Sequence, residues 1–156
     1  MRAERKTEDR TLAASARRSD VGRRLMTIPG VGPVTTLAYI ATIDDPDRFG
    51  TSKALGAHPG LTPRVYQSGE IDRSGQISKC GDRTLRHLLY EAASALMTRT
   101  GKWSCLRGWG VAVAKRRGMK RATVAVARKL AVIVHRIWVT RAEFDFGGPA
   151  GAAKAA

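Results

Sequence analysis

Acidic side chains are scarce in this sequence, and the shortage bounds its partners. Against 28 lysines and arginines stand only 13 aspartates and glutamates, for a formal net charge of +15. Such a surface carries a strong positive field, and phosphate polyanions are the commonest partners for one. Cysteine is nearly absent as well. Cys80 and Cys105 show no pairing motif and only three histidines accompany them, so neither a disulfide framework nor a zinc site is indicated. Long apolar runs are missing: Leu130 to Val134, about five residues, is as long as they get, which excludes a membrane-spanning helix. The stretch from Met1 to Arg10 is too charged for a signal peptide. Membrane-surface binding would need one long amphipathic helix with bulky apolar residues on its lipid face, whereas the basic residues here are spread along the chain. The expectation is a cytoplasmic protein without membrane contact, and a nucleic acid is its favoured partner.

With 156 residues the chain can bury one modest core. Helical periodicity broken by turn formers predicts an all-α, compact helical domain. Residues 1–19 hold almost no large apolar side chain and read as a polar helix or frayed arm. Residues 20–42 read as two short helices, the first capped by Asp20, joined by a tight turn through Pro29, Gly30, Val31 and Gly32. Pro33 suits the first position of the second helix. This pattern fits a helix-hairpin-helix, whose turn would aim backbone amides of Gly30, Val31 and Gly32 at a phosphate. A plain pair of helices with glycines used only for packing fits it too. Asp44, Asp45 and Asp47 make an acidic turn beside Pro46, better suited to capping than to a metal. A short helix over 52–57 follows, cut off before Pro59.

The most unusual spacing lies between Gly60 and Ala93. Gly60, Gly69, Gly75 and Gly81, with Pro59 and Pro63, predict a structured glycine-rich loop carrying Ser68. From Asp82, a good N-cap, Leu85, Leu88, Leu89, Ala92 and Leu96 recur at helical spacing, and the other face collects Arg83, Arg86, His87 and Tyr90. A hydroxyl on a glycine-flanked loop therefore stands in sequence just before a basic helix start, the outline of a phosphate site. Spacing alone fits ordinary turn residues and a solvated helix face better. Trp103, Leu106 and Trp109 then read as a core cluster. Lys115, Arg116, Arg117, Lys120 and Arg121, interrupted by Gly118, form the densest positive run. A long helix over 119–141 puts Val126, Leu130, Ile133, Val134 and Ile137 on one arc and Arg121, Arg128, Lys129 and Arg136 on the opposite one. Residues 142–156, rich in glycine and alanine, are expected to be a disordered tail.

Four motifs carry a resemblance: Leu61-Thr62-Pro63-Arg64, Gln67-Ser68-Gly69-Glu70, Gly75-x-Ile77-x-Lys79-x-Gly81-Asp82, and Arg86-x-x-Leu89. Together they closely resemble the C-terminal domain of a group of bacterial insertion-sequence transposases that includes pilin-gene inversion recombinases. In that group a RuvC-like domain with four acidic residues precedes a smaller serine-bearing domain. The resemblance runs from about Arg24 to Arg99. It implies that Ser68 is a nucleophile attacking a DNA phosphodiester through a phosphoserine link. It further implies oligomeric assembly on DNA, a guide RNA in some members, and Mg2+ supplied with the acidic domain, no cofactor being expected in this chain.

Charge and position nominate Arg64, Arg83 and Arg86 for the scissile phosphate, and Lys79, Lys115, Arg116, Arg117 and Arg121 for other DNA contacts. Taken alone, without the acidic domain, the chain is expected to be crippled or inactive: a decayed or truncated copy, a separately started product, or half of a split enzyme. Residues 1–19 would then be the remnant of an interdomain helix and 20–141 the transposase domain. The alternative is a nonenzymatic helix-hairpin-helix module that binds nucleic acid with Ser68 idle. A structural basic protein that binds folded RNA is a third class, disfavoured by the ordered motifs around Ser68.

Overall fold

A computed structural model describes residues 2–68, 71–148 and 153–154, with side chains described for 6–62 and 77–148. Helices dominate it. In chain order they are α1 (Arg2–Arg18), α2 (Asp20–Leu25), α3 (Pro33–Ile43), α4 (Ser52–Leu55), α5 (Arg83–Thr98), α6 (Cys105–Arg117) and α7 (Met119–Thr140), with a 3-10 turn at Pro46–Arg48. Two strands, β1 (Pro63–Ser68) and β2 (Ile71–Ile77), form an antiparallel hairpin between α4 and α5. The short strands β3 (Glu143–Phe144) and β4 (Ala153–Lys154) pair with each other.

The long central helix is α7, against which α5 and α6 pack most extensively. Its predicted apolar arc is the observed one: Val126, Leu130, Ile133, Val134 and Ile137 are all buried. From α5 come Leu85, Leu89, Ala92, Ala93 and Leu96, each fully or almost fully out of solvent. Asp82 caps α5 by accepting from the Leu85 amide, as its sequence position predicts. Tyr39 on α3 crosses to the same core and donates its hydroxyl to the Ala131 carbonyl at 2.8 Å. Burial there raises its pKa far above the ordinary tyrosine value. His135 is buried beside α4, between the Ser52 hydroxyl and the Pro46 carbonyl, both at 2.9 Å. A carbonyl only accepts, so Nε2 must donate, which in the neutral ring leaves Nδ1 to accept from Ser52.

Several local expectations need correction. Ser19, not Asp20, caps α2, its hydroxyl accepting from the Gly22 amide at 2.9 Å. Asp20 instead binds Arg24 and Arg23, whose hydrogen bonds and charge hold its carboxyl below the ordinary range. The helix expected over 52–57 ends at Leu55. Trp103 does not join the core: it is 60% exposed, with the Arg107 guanidinium 5.3 Å from its ring centre. The expected tail is packed at its start, because Ala142 and Phe144 are buried and Phe144 meets Phe146 edge-on. Residues 149–152, 155 and 156 of that expected tail lie outside the described residues.

Candidate nucleic-acid interface

The stretch expected to be a structured glycine-rich loop carrying Ser68 is a β-hairpin. Its register runs from Pro63 opposite Ile77 to Ser68 opposite Ile71, with an irregularity between Pro63 and Val65. Tyr66, Gln67 and Val65 pair with Arg73, Asp72 and Ser74, and β-branched and aromatic residues such as Val65, Tyr66, Ile71 and Ile77 favour such a ladder. Ser68 is thus the last paired residue of β1, at the end remote from the helical body. Gly69 and Glu70 lie outside the described residues, as do the side chains of Arg64 and Ser68. Among the described residues, each strand makes its contacts chiefly with the other.

At the other end, the hairpin's neck is tied down. Arg86 Nη1 donates to the carbonyls of Pro59 and Lys79, each at 3.1 Å, and so bridges the two chain segments that enter and leave the hairpin. The Lys79 amide donates to Gly60 and the Ser78 amide to Thr62. These segments approach so closely that a Cβ at Gly60 would strike the Cys80 backbone, and one at Gly81 the His58 carbonyl. Leu61 is buried and Ile77 packs against the core. Lys79 and Arg83 are exposed beside the clamp.

An extended strand advances about 3.3 Å per residue, so the five steps from Pro63 to Ser68 span roughly 17 Å. Ser68 and the Arg86 clamp therefore stand at opposite ends of the hairpin. The fold brings Lys79, Arg83 and Arg86 together, and it carries Ser68 and Arg64 on the hairpin itself. It does not gather them all around one point.

The turn between α2 and α3 is closed rather than open. Val31 is buried in the core, and a Cβ on Gly30 would strike the Ala92 carbonyl of α5. Of the three turn residues nominated for phosphate, only Gly32 has open space at its Cβ position. The nearby arginines are also occupied: Arg24 binds Asp20 and donates to the Arg141 carbonyl, while Arg23 reaches the Arg17 carbonyl and Asp20.

The basic run at the α6–α7 junction does open to solvent. Lys115, Arg116, Arg117, Lys120 and Arg121 are exposed, and all but Lys115 border a groove of about 1000 Å³. Lys53, Arg128 and Lys129 complete its cationic border, whereas Leu61, Ile77, Trp109, Val113, Val124 and Val132 supply apolar surface. Lys129 sits over Trp109, its Nζ 4.1 Å from the ring centre, and desolvation lowers its pKa. Sequence reasoning placed Arg121, Arg128 and Lys129 on one arc of α7 but missed Lys53 and Trp109 as their neighbours. Only tertiary packing brings α4, α6 and the hairpin neck beside that arc.

Among the described residues no three His, Cys, Asp or Glu side chains converge on a point that would hold a metal ion, and no helix is long and apolar enough to cross a membrane. Asp45 serves as a cap, accepting from the Asp47 amide at 2.9 Å.

Residues 22–106 match the family described as Transposase IS116/IS110/IS902, which covers more than half of the chain. The chain is 40% identical over 136 residues to the transposase for insertion sequence element IS1111A of Coxiella burnetii, a match covering 85% of this chain and 36% of that protein. It is 35% identical over 121 residues to the transposase for insertion sequence element IS1328 of Yersinia enterocolitica, covering 77% and 35%. It is 28% identical over 123 residues to the pilin gene-inverting protein of Moraxella lacunata, covering 78% and 38%. The chain thus spans little more than a third of the length of these relatives.

Proposed function

Because this chain belongs to the IS116/IS110/IS902 transposase family, we propose that it is a DNA-handling domain for transposition or recombination, with Ser68 as the nucleophile of strand exchange. The observation that supports this role is the register of the hairpin: a serine occupies its last rung, away from the core. In the reaction the Ser68 oxygen bonds to phosphorus and one phosphate–sugar ester bond breaks. The serine proton ends on the departing sugar oxygen, leaving a phosphoserine ester that a second sugar hydroxyl later displaces. A serine hydroxyl needs its developing charge stabilised. Arg64 shares the hairpin with Ser68 and is the nominated partner; Arg83 and Lys79, exposed at the neck, are assigned to flanking phosphates. Arg86 is assigned to holding the neck, since its Nη1 already serves two carbonyls.

The described residues offer no carboxylate cluster for Mg2+, so the metal is proposed to enter with the acidic domain that the resemblance implies. Oligomeric assembly on DNA and a guide RNA are proposed on the same footing. The test incubates the chain, with and without that domain and magnesium, with labelled DNA and resolves the products on a denaturing gel. A serine-linked adduct that disappears in Ser68→Ala is expected; no adduct with every component present rejects the nucleophile.

A nonenzymatic nucleic-acid module is the second function, favoured by one observation. The densest cations gather at the α6–α7 groove, by the hairpin's neck and not its Ser68 end. It predicts binding by parent and Ser68→Ala alike, and no adduct from either.

A further inference from the structure

The groove between α6, α7 and the hairpin neck combines two surfaces that nucleic-acid duplexes do not use together. Its rim is cationic, with Arg116, Lys120 and Arg121 exposed along it. Its floor is apolar, with Leu61 and Ile77 from the neck beside Trp109 and Val124. We propose that this groove binds single-stranded DNA, phosphates against the rim and bases against the floor. A duplex offers a row of phosphates but keeps its base faces stacked inside, so it would meet the rim and leave the apolar floor in water. Unpaired bases expose apolar faces to aromatic and aliphatic side chains. Among the described residues lining the groove there is no carboxylate, hydroxyl or carboxamide. That lining repels no phosphate, and DNA rather than RNA is assigned to it because DNA is the substrate proposed above. Leu61 and Ile77 place the strand against the base of the hairpin that carries Ser68.

The inference rests on DNA being the substrate, as proposed above, but not on Ser68 being a nucleophile. The 156-residue chain, without magnesium or any second domain, is titrated into fluorescein-labelled oligo(dT) and followed by anisotropy, with a DNA duplex of equal length, oligo(rU) and polyglutamate as competitors. Oligo(dT) is expected to bind at least ~10-fold tighter than each competitor at equal salt. The triple variant Arg116→Gln/Lys120→Gln/Arg121→Gln loses at least ~10-fold in affinity, and the slope of log affinity against log salt flattens by about 2, as expected for three phosphate contacts on a single strand. The control Arg10→Gln/Arg17→Gln/Arg18→Gln removes the same charge from the exposed side of α1 and keeps most of the affinity and slope. Equal losses in the two triple variants, or a duplex, oligo(rU) or polyglutamate that binds as tightly as oligo(dT), overturn the proposal. A second readout tests the floor without removing charge. In a Trp103→Phe background oligo(dT) quenches tryptophan emission, and Trp109→Phe abolishes that quenching; quenching that survives Trp109→Phe also overturns it. These binding ratios stand or fall separately from the adduct assay, which reports on Ser68 alone.

Discussion

Two helix–helix junctions in this molecule share a signature: a positive-φ glycine with arginines close by in sequence. Gly30 (φ 86°) lies between α2 and α3, and Gly118 (φ 82°) between α6 and α7. At Gly30 a side chain would collide with the Ala92 carbonyl and come within 3.0 Å of the Leu96 amide, whereas at Gly118 it would meet nothing within 4 Å. The difference follows from their neighbours. Ile28 and Val31 pull the first turn into the core, while Arg116, Arg117, Lys120 and Arg121 keep the second in water. The same cue, a glycine with arginines near it in sequence, thus marks a packing contact in one place and an exposed cationic surface in the other.

Substituting both glycines tests that contrast most severely. Gly30→Ala combines an unfavourable backbone, about 1–3 kcal/mol, with overpacking of about 1–3 kcal/mol more. Gly118→Ala carries only the backbone part. Urea denaturation should find a loss of about 2–6 kcal/mol for the first and about 1–3 kcal/mol for the second, the gap being the overpacking part; equal losses would erase the distinction. Arg86 and Arg83 extend it to cations three residues apart. Removing Arg86 leaves the carbonyls of Pro59 and Lys79 without that partner, so Arg86→Ala should cost about 2 kcal/mol and speed amide exchange across 77–81. Arg83 is exposed, so Arg83→Ala should stay within about 0.5 kcal/mol of the parent while weakening DNA binding. If the two variants match in stability, Arg86 is not the clamp of the neck.

Where local chemistry decides the outcome, the sequence could be read. The helices over α5 and α7, the Asp82 cap and the buried arc from Val126 to Ile137 follow from periodicity alone. The hairpin is obscured by its glycines, which read as breaks, and by the sparseness of apolar residues between Val65 and Ile77, where only Val65, Tyr66, Ile71 and Ile77 stand and no alternation can be counted. The Arg86 clamp is beyond reach because it ties Pro59, 27 positions away, and Lys79 to a helix face that reads as solvated. Trp103 misled for a related reason: its three-residue step to Leu106 mimics a buried face, yet α6 begins only at Cys105. The groove pairs α7 with three other elements, and no local pattern encodes which elements become neighbours.

Tyr39 sharpens the closed side through pH. Its hydroxyl is held neutral by burial, whereas the unfolded chain ionises near pH 10. The unfolded state then binds fewer protons than the native one, so native stability is fully present below that pH and falls above it, by up to about 1.4 kcal/mol per pH unit for this group. Tyr39→Phe should cost about 1 kcal/mol at neutral pH, from the lost bond to Ala131, and should flatten the alkaline decline. A parent and variant with parallel declines would mean that Tyr39 is not shielded.

A small effect is also expected at Trp103, another exposed side chain. A buried tryptophan truncated to alanine costs about 3–5 kcal/mol. Trp103 is 60% exposed, with the Arg107 guanidinium over its ring, so Trp103→Ala should cost no more than about 0.5–1 kcal/mol, the size of an exposed cation–π contact. Denaturation midpoints measured with and without 1 M salt separate the contributions. Added salt should shrink the small difference if guanidinium attraction makes it, and a loss of several kcal/mol would return this indole to the core that its spacing implied.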